Sequence, residues 1–417
     1  MRKYNKNKII QFILLILCVI LLSFFGYNRV NISNINRINA ISSSYFIDYK
    51  NISSQELFNE GWSVIKNNYY KKDLNNQDWQ KWKKRYKNKI KTPEDVDIAL
   101  NTIITSLNDP YSKFLTKEEF EELNNSFNSK LYGIGINIAS ISGKICIVNV
   151  LKGASADFQG VMAGDIILKV NNVDVAGQSI YHTAQLIRGD KDASIDLVLL
   201  RGNEKLYKTI KREEIKVKTV EGKKINENIG YIRISSFVGL DTTKDFVIVL
   251  NRLKDTKGLI LDLRGNSGGL FQNAVTIANL FLDRGNIVQV IARHNKKNIY
   301  KVSKGGYVYT KPLVVLIDEN SASASEILAS ALHDNHRAIL AGTRTFGKGL
   351  VQKVFSLPNQ TGMNITIARY LTPKGIDINE EGIEPDYNVT ISHNDFINNI
   401  DSQLNWAQIY LEKEISK

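Results

Sequence analysis

The sequence predicts an α+β multidomain protein with a helical N-terminal region, a small β-rich domain and a larger α/β core. Three observations predict it. Residues 54–128 carry helix-start signals and little β-type sequence. At Leu131 the texture changes to short β-type runs separated by glycine turns. From Ile229 onward apolar strand-like runs alternate with helical ones, and Leu313 to Ile317 is apolar throughout, as in a sheet covered on both faces.

The chain has 417 residues and a formal net charge of +13. It begins with Arg2, Lys3, Lys6 and Lys8, followed by an almost unbroken apolar run over 9–25. A positive flank before such a run marks an export signal or a membrane anchor. No small-residue cleavage site follows, because Phe24 and Phe25 precede Gly26. The expectation is an uncleaved anchor with its positive end in the cytoplasm. The rest of the chain would then face outward into the periplasm, held to a bacterial inner membrane. Residues 28–53 are polar and read as a linker. Ser54-Gln55-Glu56-Leu57, Thr92-Pro93-Glu94-Asp95 and Thr116-Lys117-Glu118-Glu119 each open a helix.

The segment 60–91 is rich in Lys, Arg and aromatic residues. Its reading is the solvated face of amphipathic helices rather than a nucleic-acid surface. Cys18 and Cys146 lie far apart, which excludes a disulfide framework and a Cys-rich metal site. None of His182, His294, His333, His336 and His393 forms a His-Glu-x-x-His pattern, so neither a metal nor any other cofactor is expected.

Short β-type runs cover 145–150, 166–170 and 195–200, and a helical piece covers 181–187. With Gly133, Ile134, Gly135 and Ile136, then Gly164-Asp165-Ile166-Ile167 and Asn171-Asn172-Val173-Asp174, this stretch resembles a PDZ domain. In that family the loop matching Gly133 to Ile136 offers backbone N–H groups to a peptide's terminal carboxylate, and the peptide adds as a strand.

The chemistry concentrates in Asn320-Ser321-Ala322-Ser323-Ala324-Ser325-Glu326 and in Thr345-Phe346-Gly347-Lys348-Gly349. Ser321, Ser323 and Ser325 are three candidate nucleophiles, and a neutral lysine in an apolar site can deprotonate one of them. Ser323-Ala324-Ser325-Glu326 is also a capping box, so Ser323 has a plain structural reading as an N-cap. Lys348, likewise, could be an ordinary exposed turn lysine. Gln352 stands four residues after Lys348, and in a strand such residues share a face. Gly268 or Gly269, with Ala324, could present amides to a carbonyl oxygen. The stretch from Gly342 to Lys348 mimics a phosphate-binding loop, but Gly349 replaces the required Ser or Thr and no helix follows, so nucleotide binding is rejected. His333 closes the helix that Ser323 opens, about 15 Å away, so the two cannot meet within it.

In combination, Asn108-Asp109-Pro110-Tyr111-Ser112, the PDZ-like unit, Leu261 to Gly269, Ser321 to Glu326, Thr345 to Gln352, Arg369 to Gly375 and Gly382-Ile383-Glu384-Pro385-Asp386 resemble the C-terminal processing peptidases, or tail-specific proteases. The resemblance implies a serine endopeptidase with Ser323 as nucleophile, Lys348 as general base and Gln352 orienting the lysine. It places the oxyanion amides at Gly269, less surely Gly268, and Ala324, and gives Asp334 a position linked to activity. It further implies a ClpP/crotonase-like α/β core with the PDZ unit inserted before it. Substrates would be proteins with exposed apolar C-terminal tails, with no nucleic acid as partner and homo-oligomerisation left open. Asp192 replaces a turn glycine, and Ser267 stands where many relatives have proline. The boundaries that follow are 1–27 for the anchor, 28–53 for the linker, 54–128 for the helical region, 129–214 for the PDZ unit, 215–390 for the protease core and 391–417 for a helical tail. The rival reading is an inactive PDZ adaptor that only binds peptide C-termini.

Overall fold

The computed structural model describes residues 51–417 apart from 128–129, 142–143, 179, 217, 304–308, 393–394, 396–397 and 399. The expected anchor at 1–27, most of the linker and His393 lie outside the described residues. Among the described residues no helix is long and apolar enough to cross a membrane. Two compact units form: Asn125–Lys218, and Thr219–Lys417 together with the described residues up to Asn124.

The N-terminal part of the larger unit holds α1 (Ser54–Asn68), α2 (Trp79–Arg85), α3 (Pro93–Thr105), β1 (Lys113–Leu115) and α4 (Lys117–Phe127). Each helix starts where the sequence carries a cap. Ser53 and Glu56 exchange bonds at α1, and Thr92 and Asp95 do so at α3, where Pro93 needs no N–H partner. Thr116 and Glu119 close the same box at α4. The apolar faces of α1 and α3 bury Phe58, Ile65, Leu100 and Ile103 against Leu357, Met363 and Ile365 of the core. The helical region therefore shares its hydrophobic core with the α/β part.

The smaller unit contains β2 (Lys130–Gly133), β3 (Ile136–Ile141), β4 (Lys144–Val150), α5 (Ser155–Phe158), β5 (Ile166–Val170), β6 (Val173–Asp174), α6 (Ile180–Ile187), β7 (Ser194–Arg201), β8 (Glu204–Lys211) and β9 (Glu213–Lys216). Its sheet runs β3-β4-β5-β7-β8, and β2 pairs with β9. Ile195, Leu197 and Leu199 alternate inward on β7 with Ile145, Ile147, Ile167 and Ile210. The predicted glycine loop joins β2 to β3. It is pinned by its carbonyls, which accept from the N–H groups of Leu151 (Gly135 O, 2.8 Å) and Ala156 (Ile134 O, 3.0 Å). Gly135 has φ of +80°, and a Cβ there would meet the Ala154 Cβ at 2.2 Å, so only glycine fits. Among the described residues β3 is an edge strand, paired along one flank with β4.

The larger unit continues with β10 (Val220–Lys224), β11 (Ile229–Ile234), α7 (Thr242–Arg252), β12 (Gly258–Asp262), α8 (Phe271–Ala278), β13 (Asn286–Ala292), β14 (Lys296–Lys301), β15 (Leu313–Ile317), α9 (Ala324–Asp334), β16 (Ile339–Gly342), β17 (Leu350–Ser356), β18 (Gly362–Leu371), β19 (Tyr387–Asn388) and α10 (Ser402–Ile415). One sheet runs β10-β11-β12-β15-β16-β19, parallel from β11 onward. Alternation on β15 explains its apolar run. Leu313, Val315 and Ile317 join the cluster of Phe246, Ala274 and Ile327 from α7, α8 and α9. Val314 and Leu316 join Ala407 and Leu411 of α10. In the second sheet β18 pairs with β17 along one edge, and with β1 and β13 along the other. The turns that leave the carboxyl ends of β12, β15 and β16 carry the chemistry-bearing residues, where open α/β sheets place their sites.

Candidate active site

Three serines crowd the start of α9, and their hydroxyls have different fates. Ser321 Oγ donates to the Leu263 carbonyl at 2.9 Å, and Ser325 Oγ donates to the Asn266 carbonyl at 2.8 Å. Among the described residues, Ser323 Oγ is buried and has no hydrogen-bond partner. Its backbone has φ of +56°, an unfavourable conformation for a residue with a Cβ. Such strain costs about 1–3 kcal/mol and persists only where surrounding contacts enforce it. The helix start therefore does not spend the Ser323 hydroxyl on capping.

Those contacts come from Glu326, which sequence reading took only as the acidic half of a capping box. Its side chain is fully buried, and both oxygens accept hydrogen bonds. Oε2 accepts from Ser323 N–H at 2.8 Å and from Lys348 N–H at 2.9 Å. Oε1 accepts from Gly347 N–H and Thr345 Oγ1, both at 2.7 Å. Two amides on one oxygen atom lie within about 6 Å of each other. One carboxyl group thus fastens the backbone of the predicted nucleophile to that of the predicted base. Burial pushes the Glu326 carboxyl above its ordinary value, against the pull of its donors. Tyr370 closes the cluster, its hydroxyl donating to the Ser323 carbonyl at 3.1 Å.

Lys348 is 3% exposed, which removes the reading of an exposed turn lysine. Its Nζ lies 4.7 Å from the centroid of the Tyr111 ring. Gln352 is buried as well. Its Nε2 donates to Thr366 Oγ1 at 3.3 Å, and its Oε1 has no partner among the described residues. The argument from strand alternation needs correction, since Lys348 precedes β17 and the register with β18 shifts between Val351 and Gln352. Burial in one unit, rather than a regular i to i+4 spacing, relates the two.

The turn after β12 supplies the predicted oxyanion amides. Gly268 N–H is committed to Asn266 Oδ1 at 2.9 Å, which favours Gly269 as the free donor. A Cβ on Gly268 would stand 2.8 Å from Ser323 Cβ and 2.9 Å from Ala324 N, so this turn lies directly against the start of α9. Ala324, in the first turn, has an N–H without an intrahelical acceptor. Gly269 has φ of +143°, and a Cβ would overlap the Phe237 carbonyl carbon at 2.2 Å. Gly269→Ala is expected to displace this turn and lower kcat about 100-fold or more, the typical loss for one oxyanion donor. Steady-state kinetics on a folded variant check it, and a rate within threefold of native would remove Gly269 from the site.

His333 does not approach Ser323. Its ring bonds Asp334 at 3.3 Å and Asp386 at 3.2 Å, and these carboxylates, Asp334 first, hold its pKa above the ordinary value. Asp334 also accepts from Lys374 N–H at 2.9 Å, so this cluster ties the end of α9 to the loop after β18.

With this geometry in view, comparison with known proteins is decisive. The model of peptidase family S41 matches residues 228–389, that of the PDZ domain matches 125–200, and that of the tricorn protease C1 domain matches 53–95. The carboxy-terminal processing protease CtpA of Bacillus subtilis (strain 168) is 38% identical over 339 residues, covering 80% of this chain and 68% of the relative. The chain belongs to the carboxyl-terminal processing proteases of peptidase family S41. A carboxyl-terminal-processing protease of Picosynechococcus sp. is 34% identical, covering 80% of this chain and 82% of its own length. A solved photosystem II D1 C-terminal processing protease is similar in structure, with a TM-score of 0.58 and 30% identity over 82% of this chain and 94% of that one. The protein is a protease with a PDZ domain, and its mixed helix and sheet architecture is that of the family.

Proposed function

We propose that this chain is a serine endopeptidase that shortens extracytoplasmic proteins at or near their C-termini, using a Ser323/Lys348 dyad. The observation that carries the reading is the contrast among the three serines. Only Ser323 combines a buried, unpartnered hydroxyl with a backbone clamped, through Glu326, to that of Lys348. Neutral Lys348 Nζ takes the Ser323 proton while Oγ bonds to the scissile carbonyl carbon. The oxyanion receives the N–H groups of Gly269 and Ala324. Collapse breaks the C–N bond, Lys348 returns the proton to the departing amine, and an acyl-enzyme ester remains. Water, deprotonated by the same lysine, then attacks the ester, the bond between Oγ and the acyl carbon breaks, and the lysine returns the proton to Ser323 Oγ. The free Gln352 Oε1 is suited to accept from the lysine nitrogen and hold it in place.

Phosphonylation by a fluorophosphonate followed by peptide mapping tests the assignment. Label on Ser323, together with C-terminal shortening of an unfolded protein that ends in an apolar tail, is expected. A folded chain that takes no label and cuts nothing would leave the PDZ adaptor reading in its place. The proposed location rests on the N-terminal sequence and is checked by fractionation of cells expressing the full chain.

We further propose that the loop from Gly133 to Ile136 and the open edge of β3 receive the substrate's terminal carboxylate and tail. Gly135→Val is expected to weaken binding of a fluorescent peptide with a free apolar C-terminus more than tenfold. Native affinity in that titration would place recognition elsewhere.

A further inference from the structure

We propose that the face of the Tyr111 ring is a positioning surface for Lys348, holding its nitrogen and stabilising the ammonium formed when it accepts the Ser323 proton. This rests on the reading of Lys348 as the base. Nζ lies 4.7 Å from the ring centroid, inside the range of about 6 Å for attraction between a cation and an aromatic quadrupole. Lys348 is buried and Tyr111 half-buried, and such attraction strengthens as the charge is withdrawn from water.

The ring is held as a site is held. Asp109 Oδ1 accepts the Tyr111 N–H at 2.9 Å, and Asp109 Oδ2 accepts the Ser112 hydroxyl at 2.7 Å. Ser112 Oγ accepts Thr366 N–H at 3.0 Å, and the Tyr111 carbonyl accepts from Asn364 Nδ2 at 3.0 Å. Tyr111 and Ser112 are thereby tied to β18, the strand whose Thr366 also receives Gln352, and Asp109 braces them from the other side. This gives the Asn108-Asp109-Pro110-Tyr111-Ser112 motif a chemical task. A helical N-terminal segment supplies one wall of the lysine pocket, and the core supplies the rest. Burial pushes the phenol up, so its hydroxyl stays neutral and the ring acts through its face.

The charged and titratable groups around this pocket come from several elements. Glu326 projects from α9, Asp109 from the turn before β1, Tyr370 from β18, and Asp377 and Glu380 from the loop after β18. Asp377 is paired with Arg369 at 2.6 Å. The sign of the effect is fixed. The ring favours the charged lysine, so removing it lowers the lysine's affinity for a proton and moves the acid limb of reactivity to lower pH.

The test is the rate of Ser323 phosphonylation by a fluorophosphonate from about pH 5 to about pH 10, bracketing lysine titration in apolar sites. The native chain is compared with Tyr111→Leu, Tyr111→Phe, Lys348→Ala, and chains carrying phenylalanine with one, two or three ring fluorines at 111. Tyr111→Leu is expected to move the acid limb down by about half a pH unit to one unit and to lower the plateau about tenfold. Tyr111→Phe restores the native limb. Stepwise fluorination moves it down in steps, because each fluorine weakens the quadrupole while keeping the ring's shape. That series decides the matter even if Tyr111→Leu does not fold. A limb that stays fixed across the ring series overturns the proposal and leaves Tyr111 a packing residue. Native labelling by Lys348→Ala instead overturns the reading of Lys348 as base.

Discussion

Lys348→Ala and Ser323→Ala are each expected to lower kcat for tail cleavage by about 10⁴-fold, with KM within about threefold of native. In the proposed mechanism both groups act on bond making, and neither belongs to the proposed tail-binding edge of the PDZ unit. Their losses must also fail to add. Once the serine has no base, removing the serine costs little more, so the double variant should match the singles. Lys348→Arg should be as inactive as Lys348→Ala, since a guanidinium keeps its charge and cannot take a proton. A second lysine supplied by a neighbouring segment would show itself as substantial activity in Lys348→Ala. Single-turnover cleavage of an unfolded tailed protein measures all four variants. Cleavage by Lys348→Ala within tenfold of native would refute the dyad.

How far the sequence reaches is best judged at particular residues. Strands β4, β5 and β7 fall within a residue of the expected runs, because alternation and glycine turns are local signals. The caps at Ser53, Thr92 and Thr116 are local as well. Family resemblance singles out Ser323, whereas its capping pattern alone points to an ordinary N-cap. What separates it from Ser321 and Ser325 is the destination of each hydroxyl. The carbonyls of Leu263 and Asn266 lie nearly sixty residues away in sequence, and no pattern at the serines announces them. The burial of Lys348 is equally non-local, because it depends on Tyr111 from the far end of the chain. The engagement of Gly268 by Asn266 was within reach, since an Asn two residues ahead of a glycine often bonds its backbone. The anchor could be read only as a pattern, and its residues lie outside those described.

Glu326→Gln is expected to lower stability by about 2 kcal/mol and kcat by about 100-fold, with KM little changed. The substitution preserves shape and removes one acceptor. Whichever way the amide turns, its NH₂ faces donors. On one side these are Thr345 Oγ1 and Gly347 N–H, and on the other Ser323 N–H and Lys348 N–H. Thr345 Oγ1 already accepts Ile383 N–H at 2.7 Å, so it can receive the amide only through its second lone pair and with its own proton turned away, while Gly347 N–H has no way to accept. At least one buried donor is then left facing another donor, and each costs about 1–3 kcal/mol. The kinetic loss follows from the same contacts. With the clamp broken, Ser323 is free to leave its strained φ of +56°, and the turn bearing Lys348 loses its tie to α9. Urea denaturation and steady-state kinetics on the full chain measure the two effects together. Glu326→Ala should be less stable still, adding a cavity to the orphaned donors. Glu326→Gln with native stability and native kcat would mean that the serine and lysine segments hold their places without this carboxyl, and the clamp would have to be abandoned.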